Sequence, residues 1–428
     1  MNHQNTRRGL LLAGAAALAG GLPTLTRAAM GPNDKFDLLL RNANVLDPSQ
    51  NLSGTRDIGI RYGQIENIET TIAPERALRV MDAGGKLVTP GLIDLHAHTF
   101  AFGSPIAIPA DELVAHQATT TVVSAGDAGA NSLPAFRRFV VPASRTRQFA
   151  FVHIAATGLG GFPVPELLNI DYAQVDLTAR AVAENPDFVL GVKVRMSENV
   201  IARHGTEPLK RAILACERSG VPGARVMCHI GGVAERDLMS QILDLLRPGD
   251  VLTHCYSGAP NNAGQGTNIV QDGKLLPAAL EAKRRGVVFD IGHGGGSFDY
   301  TVAEAAIAQG CPPDTVSSDI HVFSGNTPGM PYLPWVMSKL VGLGFTLPQV
   351  VTMATSAPAR VINRLPKHGT LQIGAPADLS LLEVVDGAVS FVDTRNNRRE
   401  GRLHLRPAGT IVAGVAFGRP YQAPFTVR

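Results

Sequence analysis

Apolar and polar positions follow one pattern at the two ends of the chain and another between them. Asp37 to Val45, Asp57 to Ile60 and Gln64 to Ile68 read as short strands, with Gly63 turning between the last two. After Val88 short apolar runs alternate with longer Ala/Leu-rich segments of helical period, which is the pattern of βαβ units on a parallel sheet. The runs are Leu92–His96, Thr119–Ser124, Phe149–Ala155, Phe188–Val194, Arg225–His229, Asp250–His254, Gly286–Ile291 and Thr315–Asp319. Helices are expected between them over Leu177–Glu184, Pro208–Ser219, Leu238–Leu246, Leu275–Arg285 and Val302–Gln309. Eight such repeats predict an α/β fold, a (β/α)8 TIM barrel, over residues 91–366. Strand texture returns over Gly369–Leu382 and Thr410–Phe417, so residues 30–90 and 367–428 are expected to pair into one small β-sandwich-like domain. No internal repeat suggests a solenoid.

The first 29 residues fall outside this pattern. Arg7 and Arg8 precede an apolar Ala/Leu/Gly run that ends near Pro23, too short for a membrane span, and the small residues Ala28 and Ala29 follow. That layout resembles a twin-arginine signal and predicts export to the periplasm, with no stable membrane association once the signal is removed.

Composition narrows the classes. The 428 residues are 45% hydrophobic and 18% charged, ordinary for a globular protein with a large core. Lys+Arg 39 against Asp+Glu 36 leaves +3, too balanced to point to nucleic acid, and the basic run Arg395–Arg402 reads as a solvated loop. The partner is therefore expected to be a small-molecule substrate. A homo-oligomer is compatible with the sequence but is not specified by it. Cys216, Cys228, Cys255 and Cys311 form no C-x-x-C pair and read as inert core residues.

The chemistry starts at Pro90-Gly91-Leu92-Ile93-Asp94-Leu95-His96-Ala97-His98. Histidines at i and i+2 of a strand share a face, so His96 and His98 can reach one ion. Lys193 lies inside the apolar fourth run, where a charged and unpaired amine would cost several kcal/mol. Burial lowers its pKa, and a neutral amine can add CO2 to become a carbamate that bridges two cations. The alternative is a lysine that reaches solvent or pairs with an acid. His229, His254 and Asp319 close the fifth, sixth and eighth runs. All of these positions fall at the carboxyl ends of barrel strands, where barrel active sites are built.

This set resembles the amidohydrolase superfamily, the urease-like metal-dependent hydrolases, from about Asp37 onward, including the trailing Gly374-Ala375-Pro376-Ala377-Asp378-Leu379. The resemblance implies two divalent ions. His96, His98 and Asp319 would hold the first, His229 and His254 the second, and Lys193, as N6-carboxylysine, would bridge them. Zinc suits imidazole and oxygen ligands and a reaction without redox change. Phe100 stands where dihydroorotase-like members usually carry arginine. Gly191-Val192-Lys193-Val194-Arg195 and Ser317-Ser318-Asp319-Ile320-His321 look most like the amidohydrolase/deacetylase group, which includes esterases of O-acetylated 2-hydroxy acids. One departure is Ala357 before Pro358, where the family commonly has Asn.

The expected activity is hydrolysis of a non-peptide C–N bond in a small anionic substrate, with Asp319 as general base; ester cleavage by the same centre is the alternative, and a non-catalytic scaffold a third. Arg195, two residues past Lys193, is a candidate clamp for a substrate carboxylate, against a salt bridge in the loop layer. His293 and Tyr256 are further candidate substrate contacts, while His153, His116, His204, His321, His368 and His404 read as structural or solvated.

Overall fold

The computed structural model describes residues 30–417 apart from residue 32. The expected signal over residues 1–29 lies outside the described residues. Strands β1 (Leu38–Asp47), β2 (Leu52–Arg61) and β3 (Gln64–Glu69) form an antiparallel meander, and β4 (Val80–Asp82) and β5 (Leu87–Pro90) pair parallel to β1. Only Gly91 separates β5 from the first barrel strand. A side chain at that position would run into Thr120, and the Gly91 amide donates to the Asp378 carbonyl at 2.8 Å. The missing side chain is what lets the β-layer join the barrel so closely.

The barrel wall comprises β6 (Leu92–Ala97), β7 (Thr119–Gly129), β8 (Arg147–His153), β9 (Val189–Arg195), β10 (Arg225–His229) and β11 (Val251–Thr253). A short hairpin, β12 (Val270–Gln271) and β13 (Lys274–Leu275), interrupts the sequence before β14 (Val288–Asp290) closes it. The seven wall strands are parallel and follow chain order. Helices Val175–Ala183, Glu207–Arg218, Arg236–Leu245, Pro277–Arg285 and Tyr300–Ala308 fall within a few residues of the expected ones.

The eighth expected strand, Thr315–Asp319, forms no ladder. It touches its neighbours through single parallel bridges, Asp290 to Thr315 and Ala97 to Ile320. Two physical reasons are visible. Asp319 has φ +49, a left-handed conformation incompatible with continued strand. The segment is also polar, and its hydroxyls do the joining: Thr315 and Ser317 donate to Asp290 at 2.7 and 2.6 Å, and the Ser318 amide donates to Asp94 at 2.9 Å.

Two apolar layers hold the wall. Outside it, residues such as Val192, Val194, Cys228, Leu252 and Cys255 pack against the helices. Inside, Ile93, Leu95, Val123, Phe149, Phe151, Leu190, Met227 and Val251 meet Val361 and Ile362 of the helix Ser356–Ile362, which fills one end of the barrel. Ala357 lies in that helix, remote from the histidine cluster. All four cysteines are free and buried; burial raises the Cys216 thiol to about 12 and also raises Cys228, Cys255 and Cys311, so thiolate chemistry is disfavoured.

After the barrel, β15 (Leu379–Val392), β16 (Arg398–Val412) and β17 (Val415–Phe417) complete the second sheet in the order β17-β16-β15-β5-β1-β2-β3. Both chain ends therefore build it, as expected. Part of the basic run is not a loop, however, because Arg398–Arg402 lies in β16. Arg399 there pairs bidentately with Glu304 at 2.5 and 2.7 Å. Among the described residues no helix is long and apolar enough to cross a membrane.

Candidate metal and active site

His96, His98, Lys193, His229, His254 and Asp319 converge at the carboxyl ends of the wall strands. Asp319 Oδ1 lies 3.2 Å from His96 Nε2 and 3.0 Å from His98 Nε2, and Oδ2 lies 3.9 Å from His254 Nε2. Lys193 Nζ is 3.0 Å from His96 Nε2, and His254 Nε2 is 2.7 Å from His229 Nδ1. His254 and Asp319 both have positive φ, +64 and +49, a strained conformation that persists only where the surroundings impose it.

The partners of the far ring nitrogens fix the tautomers, which are read from the hydrogen-bond network. Thr253 Oγ1 spends its proton on Asp290 at 2.8 Å and so accepts from His96 Nδ1 at 2.7 Å. His98 Nδ1 donates to Asp127 Oδ1 at 2.6 Å, and His254 Nδ1 donates to the Gly292 carbonyl. Each proton is thus held away from the centre, and Nε2 of His96, His98 and His254 is left to face Asp319.

Electrostatics follow from this packing. Burial, reinforced by Lys193, holds His96 well below the usual imidazole range, and burial lowers His254 to about 4. His229 is also held well below its usual value by burial and by His254. For His98 burial acts downward, but Asp127 and Asp319 outweigh it and raise the ring to about 9. Burial pushes the Asp319 carboxyl up, yet the surrounding imidazoles hold it well below its normal value. Lys193 is 1% exposed with no carboxylate within ion-pair distance among the described residues, and burial lowers it to about 8. The salt-bridge alternative for this lysine therefore does not apply.

The donor set fits divalent cations. Neutral imidazole nitrogens and an ionised carboxylate oxygen aimed at one another across 3.0–3.2 Å repel unless positive charge sits among them. Without a metal, that charge is the proton favoured on His98. Atoms of His96, His254 and Asp319 lie close enough together to share one ion.

The three expected substrate contacts fare differently. Tyr256 is fully buried and its hydroxyl donates to the Cys311 carbonyl at 2.8 Å, behind the wall, because the chain turns at His254 and carries it away from the mouth. His293 is also fully buried; Nδ1 donates to the Gly294 carbonyl at 2.8 Å and Nε2 accepts from Lys339 at 2.7 Å, so neither nitrogen is free for substrate. Arg195 Nη1 lies 3.2 Å from Glu166, which is itself buried and 3.1 Å from His153. The guanidinium thus has an internal carboxylate on Nη1, the loop-layer salt bridge that stood as the alternative reading.

Sequence reasoning missed the groups that orient the ligands. Asp127 accepts from His98, from the Thr99 and Phe100 amides at 2.7 and 3.1 Å, and from Ser124 at 2.8 Å. A carboxylate in the otherwise apolar and small-residue stretch Thr119–Gly129 was the available signal. Asp290 and Thr253 do the same for His96, but their role depends on contacts across three strands. His321, set aside as structural, presents its ring 5.8 Å from that of His98.

A barrel that gathers imidazoles, a buried lysine and an ionised aspartate at the carboxyl ends of its strands has the donor set of a metal-dependent hydrolase. No protein-family model matches the chain. It is 32% identical to a deacetylase of Agrobacterium fabrum over 363 residues, 85% of this chain and 86% of the relative. It is equally similar to a deacetylase of Enterococcus faecalis over 385 residues, 89% and 99% of the two chains. A crystal structure of an adenine deaminase superposes with TM-score 0.79 at 31% identity, covering 90% of this chain and 100% of that one. A crystal structure of a dihydroorotase gives 0.78 at 31%, covering 89% and 97%. The chain belongs to the amidohydrolase superfamily, hydrolases of C–N bonds that use divalent metals, and falls in its amidohydrolase/deacetylase group.

Proposed function

We propose that the protein is a binuclear metal-dependent deacetylase that hydrolyses the amide bond of a small N-acetylated substrate. The observation that carries this reading is the convergence of Nε2 from His96, His98 and His254 on the Asp319 carboxylate beside the buried Lys193 amine. The deacetylase relatives support acetyl transfer to water in particular.

In this reading His96, His98 and Asp319 would hold one ion and His229 and His254 the other, with zinc the best match to the donors. Lys193, neutral in part because burial depresses it, would add CO2 through its lone pair and lose one proton, and as a carbamate it would supply an anionic oxygen donor to the ions. When bound, the pair of ions supplies Lewis acidity toward water and the substrate carbonyl. Asp319, ionised at neutral pH, takes the proton released as water attacks the carbonyl carbon. It then delivers that proton to the nitrogen as the C–N bond breaks, giving acetate and an amine. Asp127, Thr253 and Gly292 keep the three ring protons turned outward throughout. The Arg7-Arg8 leader supports the further proposal that this chemistry takes place in the periplasm.

The test is elemental analysis of purified protein together with matched panels of N-acetyl and O-acetyl acids. Two equivalents of zinc, manganese or nickel and preferential turnover of N-acetyl compounds are expected. Absence of all three metals overturns the proposal, and exclusive O-acetyl turnover replaces the amidase with an esterase.

A further inference from the structure

Lys339 is fully buried on the helix Leu333–Gly342, and among the described residues no carboxylate lies within ion-pair distance of it. Burial lowers its amine to about 7. A group this costly to bury needs its donors satisfied, and all three are. Nζ donates to His293 Nε2 at 2.7 Å, to the Val392 carbonyl at 2.8 Å, and to the Gly329 carbonyl. One amine thus ties together the loop after β14, the segment leading into its own helix, and the far end of the β15–β16 hairpin.

The hairpin adds further contacts to the same loop. Thr394 exchanges hydrogen bonds with the Phe298 backbone, its hydroxyl donating at 2.7 Å, and Arg395 donates to the Gly296 carbonyl at 2.9 Å. Asp393 accepts from the Tyr300 amide at 2.8 Å. His293 meanwhile stacks on Phe298, centroids 4.8 Å apart, and donates from Nδ1 to Gly294. On either side of His293 the loop meets two candidate ligands. The Gly292 carbonyl holds the Nδ1 proton of His254, and Gly294, at φ +54, lies so close to Asp319 Oδ2 that any side chain there would strike it.

We propose that Lys339 is a positioning residue for the candidate metal site: through His293 it fixes the Gly292–Gly294 loop, which sets the tautomer of His254 and confines Asp319. This rests on the metal reading above. It explains why a lysine is buried so far from solvent and why a hairpin of the second sheet reaches the barrel mouth.

The experiment measures zinc affinity by competition with a chelator, using zinc alone, for the wild type, Lys339→Met, His293→Phe and the double variant. His293→Phe keeps the ring stacked on Phe298 and carries the prediction should Lys339→Met fail to fold, with circular dichroism melts deciding that point. Each single variant should bind one of the two zinc ions roughly 10–100-fold more weakly, as loss of an outer-sphere partner does. kcat should fall while KM moves less than about threefold. The double variant should be no weaker than the worse single one, because both act through one contact. A folded Lys339→Met with wild-type zinc affinity, or losses that multiply in the double variant, overturns the role of Lys339. A wild type that binds no zinc overturns the metal reading instead, so the two failures are distinct.

Discussion

Asp127→Asn isolates the orientation of a single ligand. In the wild type one carboxylate oxygen takes the His98 Nδ1 proton at 2.6 Å, and the other accepts from the Thr99 and Phe100 amides and from Ser124. Asparagine keeps one acceptor, which the two backbone amides hold, so its NH2 group turns toward His98. Two donors cannot face each other, and the imidazole responds by moving its proton to Nε2, the nitrogen 3.0 Å from Asp319. The lone pair meant for the first ion is then lost. Outer-sphere changes of this kind cost about 10–100-fold in metal affinity, roughly 1.4–2.7 kcal/mol. The charge-assisted bond from His98 contributes about 1.5–3 kcal/mol to folding as well. Zinc competition gives the first quantity, urea unfolding the second, and steady-state turnover of the best N-acetyl substrate the functional loss. Because the side-chain oxygen that accepts from the Thr99 and Phe100 amides is kept, the fold should survive. If Asp127→Asn binds zinc and turns over within threefold of the wild type, the tautomer argument is wrong, and His98 is oriented by something other than Asp127.

Two further outcomes are expected. Lys193→Ala removes the proposed bridging group, so bound metal should drop from two equivalents toward one, and kcat/KM should fall roughly 100-fold or more, since an ion supplies several kcal/mol of transition-state stabilisation; full turnover with two metals bound removes the carbamate from the mechanism. Glu166 is pushed up by burial but held down by Arg195 and His153 to about 2 from 4.5. A carboxyl lowered on folding stabilises above its unfolded pKa, and that contribution, about 3 kcal/mol, is lost as pH falls from 4.5 toward 2. Urea melts between pH 7 and 3 should therefore show a shallower acid loss for Glu166→Gln than for the wild type, and parallel curves would show that the Arg195 pairing adds no such stability.

What the sequence made legible depended on the range of the interactions involved. The His96/His98 doublet, Lys193 and His229 were readable because a strand's period of two and an apolar run determine where such side chains point, and the β10 bounds match the expected run. The eighth run was harder, because its apolar start at Val316 gives way to Ser317 and Ser318, whose hydroxyls replace the ladder. The internal partners of Arg195, His293 and Tyr256 were hidden for a common reason. Each residue has the right position along the chain, but its partner (Glu166, Lys339 or the Cys311 carbonyl) comes from an element that sequence spacing cannot bring near. Asp127 and Lys339 escaped notice on the same ground.

The weak eighth segment also changes how folding and chemistry relate in this barrel. Closure between β14 and β6 is made by polar groups adjoining the ligands: the Asp319 amide donates to the His96 carbonyl at 2.7 Å, the His98 amide donates to Ile320 at 3.0 Å, and Ser318 bonds to Asp94, which burial raises to about 7. The same residues thus carry the seam of the wall on their backbones and the candidate site on their side chains. Drawing imidazoles and a carboxylate together there costs repulsion and strained φ angles that apolar packing elsewhere must offset. A divalent pair would relieve that repulsion where the wall is least regular, which would couple metal binding to the stability of the seam.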